Sequence, residues 1–400
     1  MIFVCALAYL TAFILTLWLN DRKSTAMTAA LAEGCLFFFA AMAYFADYKS
    51  ASESTEPLLL MISGAIGSLA WLSIRRRRGT REQRNCLYAL VTTITLVMVT
   101  ACFFGPSRSS TYFYRGNLRW TGPWRDPNQY GALMGVGIVL ALGIAFLPVG
   151  VADSRGRFAK IRCARFGFGV AMAALLSIGI WHSYSRGAWL GALMGISYLA
   201  VKACSTRRVL LNFIRSYDWR YFLCISISVF VILGLRFRHS NSPVIKRLVS
   251  LIELNDFSSR NRLVAWDAQL QMMMEKPLLG FGWAKADLWY AEYYSSFKFG
   301  PTAGLRTNDY FALGTRLGIP AVCCLWASIW LVLKANTERH WDGRLPLHVG
   351  EEIGSLKTAC ISGAIVLAIS FWFDGGLFKF ATSALFWTLL NAGCVESKDK

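Results

Sequence analysis

The sequence predicts an all-α polytopic membrane protein of about 11 transmembrane helices, with one large extracytoplasmic loop that contains short amphipathic helices. Three observations lead there. Hydrophobic residues make up 55% of the 400 and charged residues only 16%, too little polar surface for a water-soluble fold of this size. Apolar runs recur along the chain, each near the roughly 20 residues that cross a hydrocarbon core of about 30 Å. Basic residues gather in alternate intervals between those runs, as expected where positive loops stay in the cytoplasm.

The runs fall at 2–19, 25–45, 56–74, 86–105, 128–149, 166–183, 187–203, 221–235, 307–335, 353–373 and 377–394. The first lacks a basic start and a small-residue cleavage site, so it reads as a retained span. Basic clusters occupy alternate intervals: Arg22 and Lys23; Arg75 to Arg78 with Arg81 and Arg84; Arg155 to Arg165; Lys202 to Arg220; Lys334, Arg339 and Arg344; and the tail lysines. Placing them in the cytoplasm puts the N-terminus outside and the C-terminus inside. The chain then divides into a bundle at 1–235, an extracytoplasmic loop domain at 236–306, and the last spans at 307–400.

A formal charge of +19 would suit a nucleic-acid partner, but topology accounts for much of it, and none is expected. The partners instead are membrane lipids and an anion. Most of the eleven cysteines sit in or beside apolar runs, no CxxC spacing occurs, and the four histidines are scattered, so neither a metal nor another cofactor is expected.

Three pieces break the charge rule: 105–127, 183–186 and 236–306 carry many arginines to the outer side. An anionic ligand supplies a reason for keeping them. Arg236, Arg238 and Lys246 read more simply as snorkelling to headgroups. Arg186 does not, because it sits in HSYSRGAWLG, a turn of very few residues where its planar fork suits a phosphate. In RWTGPWRDPNQYG, Asp126 precedes Pro127 as an N-cap precedes the first helical residue; it reads as that cap or as a direct catalytic group, and the proline favours the cap. The helix behind it offers free N–H groups and a positive dipole end to an anion.

The stretch 258–283, SSRNRLVAWDAQLQMMMEKPLLGFGW, is a site inside the one long polar segment. Leu263, Trp266, Leu270 and Met273 or Met274 are spaced as one apolar helix face, which would lie along a membrane surface. Arg262 and Trp266 share a face. Pro277 ends the helix, and Gly280 and Gly282 permit a tight turn with close backbone approach. In the last spans Lys357, Lys379 and Asp374 are costly ionisable groups, and Lys379 is expected to pair with Asp374.

Four stretches in this order resemble the O-antigen ligase and polymerase family of bacterial envelope glycosyltransferases: GPWRDPNQYG (122–131), SRGAWLG (185–191), SSRNRLVAW with EKPLLGFGW (258–283), and TNDYFALGTRLGIPA (307–321). The resemblance implies a multi-pass enzyme of the bacterial inner membrane whose active site faces the periplasm or cell exterior. It would transfer a glycan from an undecaprenyl-diphosphate carrier to an acceptor sugar hydroxyl on a glycan or glycolipid, with no metal. It places Arg186 and Arg262 where family members bind the diphosphate, with Arg260, Arg125 and Arg119 as helpers. Members usually show one more N-terminal span and commonly a His-Asn or His-Ser pair; here the pair is Thr307 and Asn308. Threonine is no base near neutral pH, so Asp309 or Asp126 is the candidate to orient or deprotonate the acceptor. Arg316 stands where the family's E-x-G pattern has an acidic residue. Trp266 and Trp283, like Trp120 and Trp124, suit either sugar stacking or interfacial anchoring. A transporter or flippase of an anionic lipid-linked glycan, and a catalytically divergent family member, remain open alternatives.

Overall fold

A computed structural model describes residues 25–46, 55–76, 80–106, 111–114, 117–147, 157–205, 257–294, 305–338, 347–373 and 376–394. Among these the chain is almost wholly helical: α1 Thr25–Ala46, α2 Glu56–Arg75, α3 Thr80–Phe103, α4 Pro127–Ala145, α5 Arg157–Ser183, α6 Arg186–Ser205, α7 Phe257–Glu275, α8 Lys285–Trp289, α9 Asp309–Leu317, α10 Ile319–Glu338, α11 Leu347–Ser370 and α12 Phe380–Gly393. Six helices are long and apolar enough to cross a membrane, at Glu56–Arg75, Thr80–Phe103, Pro127–Ala145, Cys163–Ser183, Ile319–Asn336 and Gly350–Ser370. The fold is that of an all-α membrane protein. The expected spans 2–19 and 221–235 lie outside the described residues.

Helix α4 is the axis of the bundle. It is apolar all round and buried along nearly its whole length, against α3, α5, α6 and α11. Small residues allow that crowding: a side chain at Gly131 would strike Ser183 and Ala188, and one at Gly143 would strike Ala359. Outside this group α2 packs on α12 and α10 on α1.

The polar contacts sort into two ends. At one end Arg119 joins Ser183, Asp126 joins Lys379, and Asp309 joins Leu377. Toward the opposite end Arg84 pairs with Glu352 at 3.1 Å, Asn336 donates to Tyr198, and Arg165 donates to the Leu147 carbonyl. The helix termini assigned to one side by charge alternation therefore do lie together.

One expectation is corrected. The run 307–335 is not one span: it breaks at Gly318, whose φ of 86° stops α9 and lets α10 start afresh with Pro320 in its first turn. The break is where the loop after α7 docks. Phe281 N–H donates to the Thr315 carbonyl at 2.8 Å and Gly282 N–H to the Arg316 carbonyl at 3.0 Å, while Ile319 N–H donates to the Pro277 carbonyl at 2.7 Å. The carbonyls left over by the interrupted helix are thus taken by the loop's backbone. A side chain at Gly318 would collide with the Leu278 and Pro277 carbonyls. Gly318→Ala should therefore lower stability by about 1–3 kcal/mol, read as a drop in melting temperature of the solubilised protein.

Helix α7 keeps the expected apolar face outward and packs through another one. Ala265, Ala268, Gln269, Met272 and Met273 face inward, whereas Leu263, Leu270 and Met274 are exposed and Trp266 is half-buried. The cause is the closeness of α9: Gly314 lies against Met273, and Thr315 Oγ donates to the Gln269 carbonyl at 3.4 Å. Only small or flexible side chains fit between the two helices. The chain also forms a short antiparallel hairpin, β1 Thr111–Tyr114 with β2 Asn117–Trp120, pairing Thr111 with Trp120. Its aromatic and threonine residues favour a strand, a local signal absent from an all-helical reading.

Candidate functional site

Four helices begin around one region at the end of the bundle where α7 docks: α4, α6, α9 and α12. A small pocket opens there, lined by Asn128, Ser185, Gly187, Ser370, Phe373 and Thr382 together with their neighbours. Each helix start is held by local chemistry. Asp126 caps α4, its Oδ1 accepting from Asn128 N–H at 2.8 Å and Gln129 N–H at 3.4 Å, with Pro127 at the first position. Ser185 Oγ accepts from Ala188 N–H at 3.4 Å at the start of α6, and Arg186 is that helix's first residue. Asn308 Oδ1 caps α9 by accepting from Tyr310 N–H at 2.9 Å and Phe311 N–H at 3.2 Å. First-turn residues of α4, α6 and α12 line the pocket, and the positive dipole ends of these helices favour an anion there.

Of the two arginines singled out in the sequence, Arg262 approaches Phe373 directly and Arg186 is next in the chain to a residue that packs on it. Arg262, half-buried, places its guanidinium 6.0 Å from the centre of the Phe373 ring. On the α6 side, a side chain added at Gly187 would strike Phe373, so the residue beside Arg186 packs against that ring. Trp266, one turn after Arg262, stands edge-on to Phe311 at 5.9 Å and to Trp372 at 6.4 Å. The turn 371–373 is thereby the hinge point of the site, and nothing in the sequence beyond its aromatic content marks it out.

Asp309 secures that turn. It is fully buried; its N–H donates to the Phe371 carbonyl at 2.9 Å and its Oδ2 accepts from Leu377 N–H at 2.7 Å. Through Oδ2 this enclosed carboxylate positions the backbone. Asp126 has the expected cap: Oδ1 caps α4, and Oδ2 takes the Lys379 ammonium. Asp374, the partner expected for Lys379, lies outside the described residues.

Other candidates separate. Arg119 is buried, giving Nε to the Ser183 carbonyl and Nη2 to Asn128 Oδ1, both at 2.8 Å. It ties β2 to α4 and α5. Arg125 is exposed, on a left-handed backbone with φ of 55°. The Arg260 side chain lies outside the described residues. Asn308 is enclosed and its carbonyl oxygen is used by the cap, while Thr307, in the turn before it, is half-buried. Trp283 is not a sugar platform: it is fully buried and donates Nε1–H to the Ala40 carbonyl at 3.2 Å. Trp120 stacks on His182 with ring centres 4.3 Å apart.

Residues 171–326 match the family model described as O-Antigen ligase. This segment is similar to the O-antigen ligase family. The ligase-family segment runs from the second half of α5 through α6, α7 and α9 into α10, and so holds Arg186, Arg262, Trp266 and Asp309. Asp126 and Lys379, which close the pocket from outside it, do not fall within the match. The ligase family carries with it a glycosyltransferase activity of O-antigen ligase or polymerase type in general terms. No curated protein matches the chain. Among solved structures, a chain from the work "Structural coordination of polymerization and crosslinking by a peptidoglycan synthase complex" is similar at 15% identity and a TM-score of 0.40, over 90% of this chain and 95% of that one.

Proposed function

We propose that this protein moves a glycan from an undecaprenyl-diphosphate carrier to an acceptor sugar hydroxyl, at the end of the bundle where α4, α6, α9 and α12 begin. The observation that carries the reading is that Phe373, which lines the pocket beside the starts of α4, α6 and α12, packs against the start of α6 and lies 6.0 Å from the Arg262 guanidinium. Two guanidinium groups and several dipole ends suit a diphosphate, whose charge grows as the sugar C1–O bond breaks. The lipid diphosphate leaves as a stable anion, so the protein's main task is to hold it and to align the acceptor.

Within this scheme Arg186 and Arg262 grip the diphosphate, and Arg119 fixes Asn128 and the α5 end beside it. Asp309 keeps the 371–377 turn in place, and Trp266 forms the aromatic wall next to Arg262. With both carboxylates engaged in holding backbone, the acceptor proton leaves with the departing diphosphate or passes to water. Transfer by the purified full chain from a synthetic undecaprenyl-diphosphate glycan to an acceptor glycan tests the function. Release of undecaprenyl diphosphate without glycan transfer, or neither, would count against it.

The same proposal sets the site outside the cytoplasm, in the bacterial inner membrane. A membrane-impermeant maleimide applied to intact cells with a permeabilised outer layer should label Gln271→Cys, on the exposed side of α7, and leave native Cys163, exposed near the start of α5, untouched. The reverse pattern would invert the topology and remove the function with it.

A further inference from the structure

We propose that Lys379 is a third cation of the diphosphate site, held by Asp126 until the lipid-linked anion takes its place; this rests on the glycan-transfer reading above. Lys379 stands at the start of α12, between Gly376 and Thr382, both of which line the pocket. Its partner Asp126 caps α4 by holding the backbone N–H groups of Asn128 and Gln129, which also line it. The ion pair therefore joins two segments that both contribute to the pocket's lining.

The exchange is chemically favoured. Both members are partly exposed, with relative side-chain areas of 32% and 22%, and pairs in such settings contribute little net stability. Asp126 keeps its place without the lysine, because Oδ1 holds two backbone N–H groups at the positive end of α4 and the side chain is partly open to water. A diphosphate brings at least two negative charges and several acceptor oxygens against one carboxylate. The four-carbon stem of a lysine lets its charge swing between them while the backbone stays fixed.

The idea makes predictions of opposite sign for the two partners. Asparagine keeps an N-cap, so Asp126→Asn releases Lys379 without opening α4. Binding of undecaprenyl diphosphate to the full chain in nanodiscs should then tighten severalfold, whereas Lys379→Met should weaken it about tenfold and Lys379→Arg should stay near the parent. A pair that only braces the fold would lower affinity or melting temperature in both variants. The double variant separates contact from distant charge balance: direct contact leaves its affinity well below the parent's, and a return to the parent value overturns the proposal. Should Lys379→Met fail to fold, Lys379→Gln and the tightening by Asp126→Asn still decide. Arg186→Ala and Arg262→Ala are measured alongside. If they bind undecaprenyl diphosphate normally, the site itself is wrong; if they lose it while Lys379→Met does not, only the role of Lys379 falls.

Discussion

Glycan transfer should fall by about 10²- to 10³-fold in Arg262→Ala, because truncating one partner of a desolvated charge-assisted contact costs roughly 3–4 kcal/mol. Arg262 is built to matter in this way. It is half-buried, with its guanidinium 6.0 Å from the centre of the Phe373 ring, a contact that limits the side chain's freedom before a ligand is gripped. Arg186→Ala should show a loss of the same order. Its guanidinium leaves from the first residue of α6, where the helix dipole adds to its charge. Lysine at either position keeps the charge and loses the two-pronged geometry, so activity should recover only in part. The measurement is kcat/KM for the lipid-linked donor beside binding of undecaprenyl diphosphate. If Arg262→Ala lost turnover but bound the carrier as tightly as the parent, the guanidinium would be serving the acceptor side instead. If Arg262→Lys matched the parent, no bidentate grip would be needed.

The sequence carried the helices of the bundle because a membrane span must satisfy its own backbone and hide it behind apolar side chains, which leaves a run that hydropathy detects. It also carried the cap at Asp126, since an Asp-Pro pair has few other uses at such a boundary. The break at Gly318 was hidden for a physical reason. A glycine among apolar residues reads the same whether a helix continues through it or stops, and what stops α9 is the loop at Pro277 to Gly282 arriving to take its carbonyls. That partner is distant in the chain order of hydropathy and invisible to it. The inward face of α7 left no such signal: periodicity finds large apolar side chains, which here stay exposed, and this interface is built from alanine, glutamine and methionine. Asp309 looked like a replacement for a missing base because its chemistry allows one. Its burial and its bond to Leu377 are tertiary facts.

Arg316→Glu should leave little folded protein, although it restores the acidic residue the family pattern has at that place. Arg316 is 1% exposed and paired with Glu56 at the start of α2 and with Asp287 on the docked loop at 3.1 Å. Its guanidinium also lies 5.1 Å from the Phe378 ring centre and 5.8 Å from that of Trp283. A carboxylate there would face two others in a dry site. Removing one member of a buried pair costs about 3–5 kcal/mol before any repulsion is added, a large share of the roughly 5–15 kcal/mol that keeps a domain folded. In this chain the two acidic partners, Glu56 and Asp287, decide the sign of the charge at position 316. Glu56→Arg combined with Arg316→Glu should recover part of the lost melting temperature, since one buried pair is rebuilt, while Asp287, 40% exposed, is left to water. Arg316 lies in the half-helix on which α7 rests, and the adjoining carbonyls hold the loop, so undecaprenyl-diphosphate binding at Arg262 should return with the fold in the double variant. An Arg316→Glu protein that melts like the parent would mean that the triad is ornamental. A double variant that folds but does not bind would mean that the loop needs Arg316 itself, through its place between Trp283 and Phe378, to present Arg262 to the pocket.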